Sequence, residues 1–62
     1  MDSEVREAVR RARDEGREPA EWLEFILSLV EDGELREARI EGRAFVSVYP
    51  DEPLPPGFPN FE

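Results

Sequence analysis

The first half of the chain carries the hydrophobic period of two helices. In segment 3–15 the apolar residues recur with the i, i+3, i+4, i+7 spacing that is typical of one helix face; they are Val5, Ala8, Val9 and Ala12. Pro19 suits the first position of a second helix, where its missing N–H costs nothing. Gly16 and Gly33 suit the left-handed position that ends a helix. The pattern therefore predicts helices over residues 3–15 and 19–31.

The second of these segments is apolar around much of its circumference. At 100° per residue, its apolar side chains cover an arc of about 200°, whereas a helix on a protein surface needs about half of that. These side chains are Trp22, Leu23, Phe25, Ile26, Leu27, Leu29 and Val30. We therefore expect segment 19–31 to be the central element, covered from two sides.

After Gly33 the hydrophobic period changes from 3.6 to 2, which is typical of strands. The alternation predicts a β-hairpin with strands at 35–41 and 43–49 around Gly42. An odd-length loop at Gly42 places the alternating small and aliphatic residues on one inner face. That register leaves Phe45 and Tyr49 on the outer face of the hairpin.

The last segment, residues 50–62, is rich in proline and is neither a helix nor an inner strand. Because Leu54, Phe58 and Phe61 are large and apolar, we expect it to be an extended strap over the second side of the 19–31 helix. A disordered tail is the alternative. The predicted fold is thus one α+β domain, residues 1–62, in the order ααββ with a C-terminal strap. Its predicted core is Val5, Val9, Ala12, Trp22, Leu23, Ile26, Leu27, Val30, Ile40, Val46 and Val48.

Charge limits the classes of partner. The net charge is -8, from 16 acidic and 8 basic residues. Nucleic-acid-binding proteins and proteins that bind anionic membranes carry basic patches, so we expect neither activity. The N-terminal sequence has no signal-peptide pattern and no segment is long and apolar enough to span a membrane, which predicts a soluble chain of unassigned compartment. We interpret the excess of acidic residues as a feature that keeps the protein soluble. The alternative interpretation is an acidic regulator that mimics the charge of DNA.

The residue inventory argues against an enzyme. Cysteine, histidine and lysine are absent, so Ser3, Ser28 and Ser47 have no ordinary partner to activate them. Paired carboxylates catalyse acid–base chemistry only when burial separates their pKa values. The adjacent pairs all fall on predicted exposed faces or loops; they are Glu21 with Glu24, Glu31 with Asp32, and Asp51 with Glu52. We therefore predict no catalytic residue.

No cofactor or metal site is predicted either. The acidic run at residues 31–34 lacks the spaced ligands and final glutamate of a calcium-binding EF-hand loop. The glycines are scattered beside turns and form no phosphate-binding loop. The PxxP spacings at Pro50, Pro53 and Pro56 are typical of ligands of SH3 or WW domains, but the flanking basic residue and a PPxY motif are missing.

The sequence resembles computationally designed miniproteins in texture. In the run SEVREAVRRARDEGREPAEWLEFILSLVEDGEL, charged pairs fill the exposed positions, proline starts one helix and glycine ends both. Glutamine and threonine are missing as well, and every basic residue is arginine. The resemblance implies a monomeric, non-enzymatic structural miniprotein with no biochemical activity and no required partner. The order of elements also resembles the second half of a winged-helix domain, but the acidity argues against DNA binding.

A protein-binding module is the alternative function. Its contact residues would be Phe45 and Tyr49 on the outer hairpin face, with Phe58 and Phe61 from the tail, because contiguous exposed aromatic residues mark interfaces. Weak self-association through the hairpin edge is one form of this hypothesis.

Overall fold

The computed structural model describes residues 3–55 and residue 58. It contains three α-helices: α1 (Ser3–Glu15), α2 (Pro19–Glu31) and α3 (Leu35–Val48). Over the described part of the chain there is no β-strand, so the fold is all-helical and bundle-like. The predicted α+β class with a hairpin at 35–41 and 43–49 is wrong.

Helices α1 and α2 confirm the sequence prediction at both ends. Each is followed by a glycine with a left-handed backbone, Gly16 at φ 64° and Gly33 at φ 80°. After α1, the Arg17 N–H donates to the Ala12 carbonyl at 3.0 Å; after α2, the Glu34 N–H donates to the Leu29 carbonyl at 2.9 Å. These are Schellman motifs, in which a residue that tolerates positive φ reverses the chain and satisfies helix-end carbonyls.

The segment that follows Gly33 is helical because its apolar alternation is short and its residues favour helix. Leu, Arg, Glu and Ala at the start of α3 are strong helix formers, and a single interior glycine such as Gly42 costs only about 1 kcal/mol. The same residues also satisfy the helical period, since Ala38, Gly42, Phe45 and Tyr49 recur at spacings of three and four. The strand prediction relied on one of two periods that the segment contains.

The central element is α3, not α2. Helices α1 and α2 both pack closely against α3, whereas within the described residues the backbones of α1 and α2 do not come close to each other. The prediction that α2 is the central element, covered from two sides, is therefore wrong. The buried residues of α3 are Ala38, Ile40, Glu41, Gly42, Ala44 and Phe45. Half of them, Ala38, Gly42 and Ala44, are small, so they allow close approach of two helices without making α3 conspicuously apolar.

The core lies where α3 meets its two neighbours. Its buried cluster is Val5, Ala8, Ala12, Trp22, Ile26, Ile40, Ala44 and Phe45. Five of these, namely Val5, Ala12, Trp22, Ile26 and Ile40, were predicted from the sequence, whereas Val46 was predicted to be buried and is 44% exposed. Val46 was placed inside by the hairpin register, and the helix turns it toward solvent.

The C-terminal segment contributes one described contact to this core. Phe58 is half-buried and packs against the core cluster, which agrees with part of the predicted strap. Leu54, in contrast, remains 48% exposed. Phe61 lies outside the described residues.

Candidate functional site

A buried carboxylate occupies the junction of the three helices. Glu41, in the middle of α3, is only 5% exposed. Its Oε1 accepts hydrogen bonds from Arg17 Nη1 and from Trp22 Nε1, each at 3.0 Å. Its Oε2 lies 3.8 Å from Nη2 of Arg11 on α1. The carboxylate therefore connects α3 with α1, with α2 and with the loop between them.

Arg17 is held in place by the turn that ends α1. The Schellman bond fixes its backbone N–H, and the Tyr49 hydroxyl donates to its carbonyl at 2.7 Å. Its Nε also lies 3.2 Å from Oε1 of Glu15. The guanidinium is thus engaged by two carboxylates, and a buried charge in a protein is tolerated only with such compensation.

Aromatic rings surround this charge cluster. The Trp22 ring meets the Phe45 ring edge-on, with centroids 5.4 Å apart, and the Tyr49 ring edge-on at 6.3 Å. The Arg17 guanidinium carbon lies 5.8 Å from the Trp22 ring centroid and 5.6 Å from that of Phe25. Edge-to-face ring pairs and cation–π contacts each add to burial energy, so the cluster fixes the α1–α2 turn on the bundle.

A surface recess of about 340 Å³ opens beside Arg17. Its walls are Glu15, Gly16, Arg17, Glu21, Trp22 and Phe25. Phe25 is 45% exposed although it is a large aromatic residue. The recess therefore combines an apolar wall with two exposed carboxylates at its rim, Glu15 and Glu21.

The row of residues that continues from the recess along α2 has the same character. Glu21, Phe25 and Leu29 follow each other at spacings of four and Asp32 follows three residues later, so they lie on one edge of the helix. We call these four residues the α2 edge. Glu21 and Asp32 are exposed, and Leu29 is half-buried. An apolar pair is thus flanked by an acid at each end.

The chemistry available at the recess is limited. Arg17 already contacts two carboxylates, and the buried acid Glu41 already accepts two hydrogen bonds. Over the described residues, every buried side-chain nitrogen and oxygen has a hydrogen-bond partner, so none is left aimed at a missing ligand. In the same part of the chain no acidic cluster has metal-binding geometry, including the run at 31–34. No described helix is long and apolar enough to cross a membrane.

The predicted contact residues that the structure describes lie in the core or against it. Phe45 has no solvent exposure and belongs to the core, because α3 is a helix and has no outer hairpin face. Tyr49 is half-buried, and its hydroxyl donates a hydrogen bond to the Arg17 carbonyl. Phe58 packs against the core cluster, and Phe61 lies outside the described residues. The three described residues therefore form no exposed patch.

Sequence reasoning missed Glu41, Arg17 and the exposed position of Phe25. A helical projection of residues 35–48 would have found Glu41, because it lies three residues after Ala38 and four before Phe45, inside the apolar arc. No comparable signal exists for Arg17, whose role depends on the turn and on α3. The exposure of Phe25 depends on which helix is central.

No protein-family model, curated protein or solved structure matches the chain.

Proposed function

We propose that this chain is a non-enzymatic protein-binding module whose contact surface is the α2 edge with its adjoining recess. The observation that carries the proposal is the mismatch between the apolar content of α2 and its burial. Only Trp22 and Ile26 of this helix are buried. Its other large apolar residues are half-buried or, in the case of Phe25, exposed.

This mismatch has a physical consequence. Fully burying a phenylalanine or leucine side chain stabilises a protein by about 1.5–3 kcal/mol relative to leaving it exposed. A chain of 62 residues has low stability. Leaving Phe25 partly in water therefore loses burial energy that would stabilise the fold. Adjacent exposed apolar residues with polar surroundings are typical of interaction sites.

The composition of the edge also suits binding better than catalysis. Phe25 is the kind of aromatic residue that anchors interfaces, and the recess beside it is large enough for a single side chain of a partner. No nucleophile with an activating partner lies on its walls. The competing hypothesis, a structural miniprotein without any activity, gives the exposed edge no role.

Selection from a displayed peptide library tests the proposal. We expect peptides that bind the wild-type chain to be enriched, and to lose binding to Phe25→Ser. Val46→Ser is the matched control, since Val46 is 44% exposed but lies on α3. Enriched peptides that bind Phe25→Ser as well as wild type, or no enrichment at all, would contradict the proposed function and favour an inert miniprotein.

A further inference from the structure

From the charge around the α2 edge we infer that its occupant is a cationic amphipathic helix of another protein, with an arginine or lysine that enters the recess. This inference rests on the proposed function and adds the chemistry of the partner. It follows from where the acidic residues lie relative to the exposed Phe25 and the half-buried Leu29.

The surroundings of the edge are acidic along the whole of α2. The helix contains Glu21, Glu24 and Glu31 and no basic residue, and its ends are flanked by Glu18 and Asp32. All five carboxylates belong to exposed residues. The cation that lines the recess is Arg17, whose charge already faces Glu41 and Glu15. A partner therefore meets an apolar strip with negative charge on its margins.

The recess gives this charge a definite position. Glu15, Arg17, Glu21 and Phe25 all line it. Arg17 already contacts Glu15 at 3.2 Å, which leaves Glu21 as the acid to receive a partner's cation. Arginine and lysine side chains combine an apolar stem with a charged tip. Such a side chain can lay its stem along the exposed part of Phe25 and place its charge at Glu21, an arrangement that an acidic or purely apolar side chain cannot reproduce.

A helix is the partner geometry that matches the row. Phe25 and Leu29 are one turn apart, so apolar residues of a partner at i and i+3 or i+4 meet them along a common direction. The surrounding acids then face basic residues at the margins of the partner's apolar face. Complementary charge of this kind raises the association rate and excludes partners of the wrong sign.

A second copy of the chain is a poor occupant of the same surface. Two α2 edges brought together would place Glu21 and Asp32 of one chain near the carboxylates of the other, and each chain carries a net charge of -8. Like charges across an interface are destabilising. Charge complementarity therefore favours a basic partner over self-association.

The test measures binding of three synthetic peptides of equal length to the full chain by fluorescence anisotropy. The first peptide is an amphipathic helix of leucine and lysine; the second replaces each lysine by glutamate; the third scrambles the leucine and lysine order, which keeps the charge and removes the apolar face. We expect only the first to bind. Phe25→Ser should weaken it about 10-fold or more, as for an interface anchor, and Glu21→Gln about 3-fold, with reduced salt sensitivity.

Matched variants on other elements serve as controls. Val46→Ser and Glu37→Gln change an exposed apolar residue and an exposed acid of α3, and each should leave the affinity within about 2-fold of wild type. Circular dichroism of every variant confirms that the helices are retained, so a loss of binding is not a loss of fold.

The outcomes separate the two proposals. Equal, Phe25-dependent binding of the glutamate peptide would overturn the cationic partner but keep the α2 edge as a binding surface. Equal binding of the scrambled peptide, or equal effects of Phe25→Ser and Val46→Ser, would mean unspecific charge attraction and would overturn both. A dimer in analytical ultracentrifugation that Phe25→Ser abolishes would identify a second copy as the occupant and overturn the cationic partner.

Discussion

Helix α2 is more apolar than helix α3, but α3 is the central helix of the bundle. The buried residues of α2 are Trp22 and Ile26 alone. Helix α3 contains a buried glycine and a buried glutamate, and it is nevertheless the element on which both other helices pack. Burial in a small bundle is thus decided by how many neighbours a helix has, and small residues can make a helix central.

The same comparison explains why the charged Glu41 is buried and the aromatic Phe25 is exposed. A central helix with small residues brings its neighbours close, and a carboxylate such as Glu41 then has cations and donors within reach on several sides. A peripheral helix has one neighbour, so an apolar arc of about 200° cannot all be covered. The burial of Glu41 and the exposure of Phe25 both follow from this arrangement of the helices.

The largest expected effect is on the free energy of unfolding, and it contrasts Phe45 of α3 with Phe25 of α2. Phe45→Ala removes a fully buried ring and should cost about 3–5 kcal/mol, against a total stability of about 3–9 kcal/mol for a domain of this size. Phe25→Ala should cost below about 1 kcal/mol, because its ring is already partly in water. Urea unfolding followed by circular dichroism measures both. Similar costs for the two variants would contradict the assignment of α3 as the central helix.

The next effect concerns the buried carboxylate. Glu41→Ala removes the acceptor of the Trp22 N–H and the more buried of the two carboxylates that face Arg17, and should cost about 2–3 kcal/mol. The matched change on α2, Glu24→Ala, affects an exposed acid and should lie within about 0.5 kcal/mol of wild type. Both values come from denaturant unfolding.

A double-mutant cycle isolates the contact itself. If Arg17 and Glu41 act as a pair, Arg17→Met combined with Glu41→Met should cost less than the sum of the single changes by at least about 0.5 kcal/mol. Additive costs would mean that the two side chains contribute independently and would contradict a coupled pair.

The smallest effect belongs to an exposed ion pair on α1, outside both helices of the comparison. The Arg10 guanidinium donates a hydrogen bond to Glu7 at 2.6 Å, and this bond, with the Arg10 charge, lowers the pKa of Glu7 below its ordinary value of 4.5. Because the folded-state pKa is the lower one, the pair stabilises the fold above the unfolded-state pKa. That contribution is lost as the pH falls through the folded-state pKa.

Carboxyl NMR titration measures this shift directly. The Glu7 midpoint should rise toward 4.5 in Arg10→Gln, and added salt should have the same effect, since the pair is exposed. An unchanged midpoint would assign the lowered pKa to another group. Either result leaves the stability contrast between Phe45 and Phe25 unaffected, because exposed pairs contribute little.

The sequence alone determined α1 and α2, because their signals are local. The helical period, Pro19 and the positive-φ positions at Gly16 and Gly33 act within one or two turns of the chain, and both helices begin and end where these signals place them. The sequence also predicted the apolar face of α1, on which Val5, Ala8 and Ala12 are buried.

Only the tertiary structure decided the form of residues 35–48 and the composition of the site. That segment contains both a period of 2 and a period of 3.6, and packing between two other helices favours the second. The burial of Glu41, the fixed position of Arg17 and the exposure of Phe25 all depend on which helix is in the middle. A pattern of apolar residues specifies how much surface a helix offers for burial, but the number of its neighbours is a property of the assembled bundle.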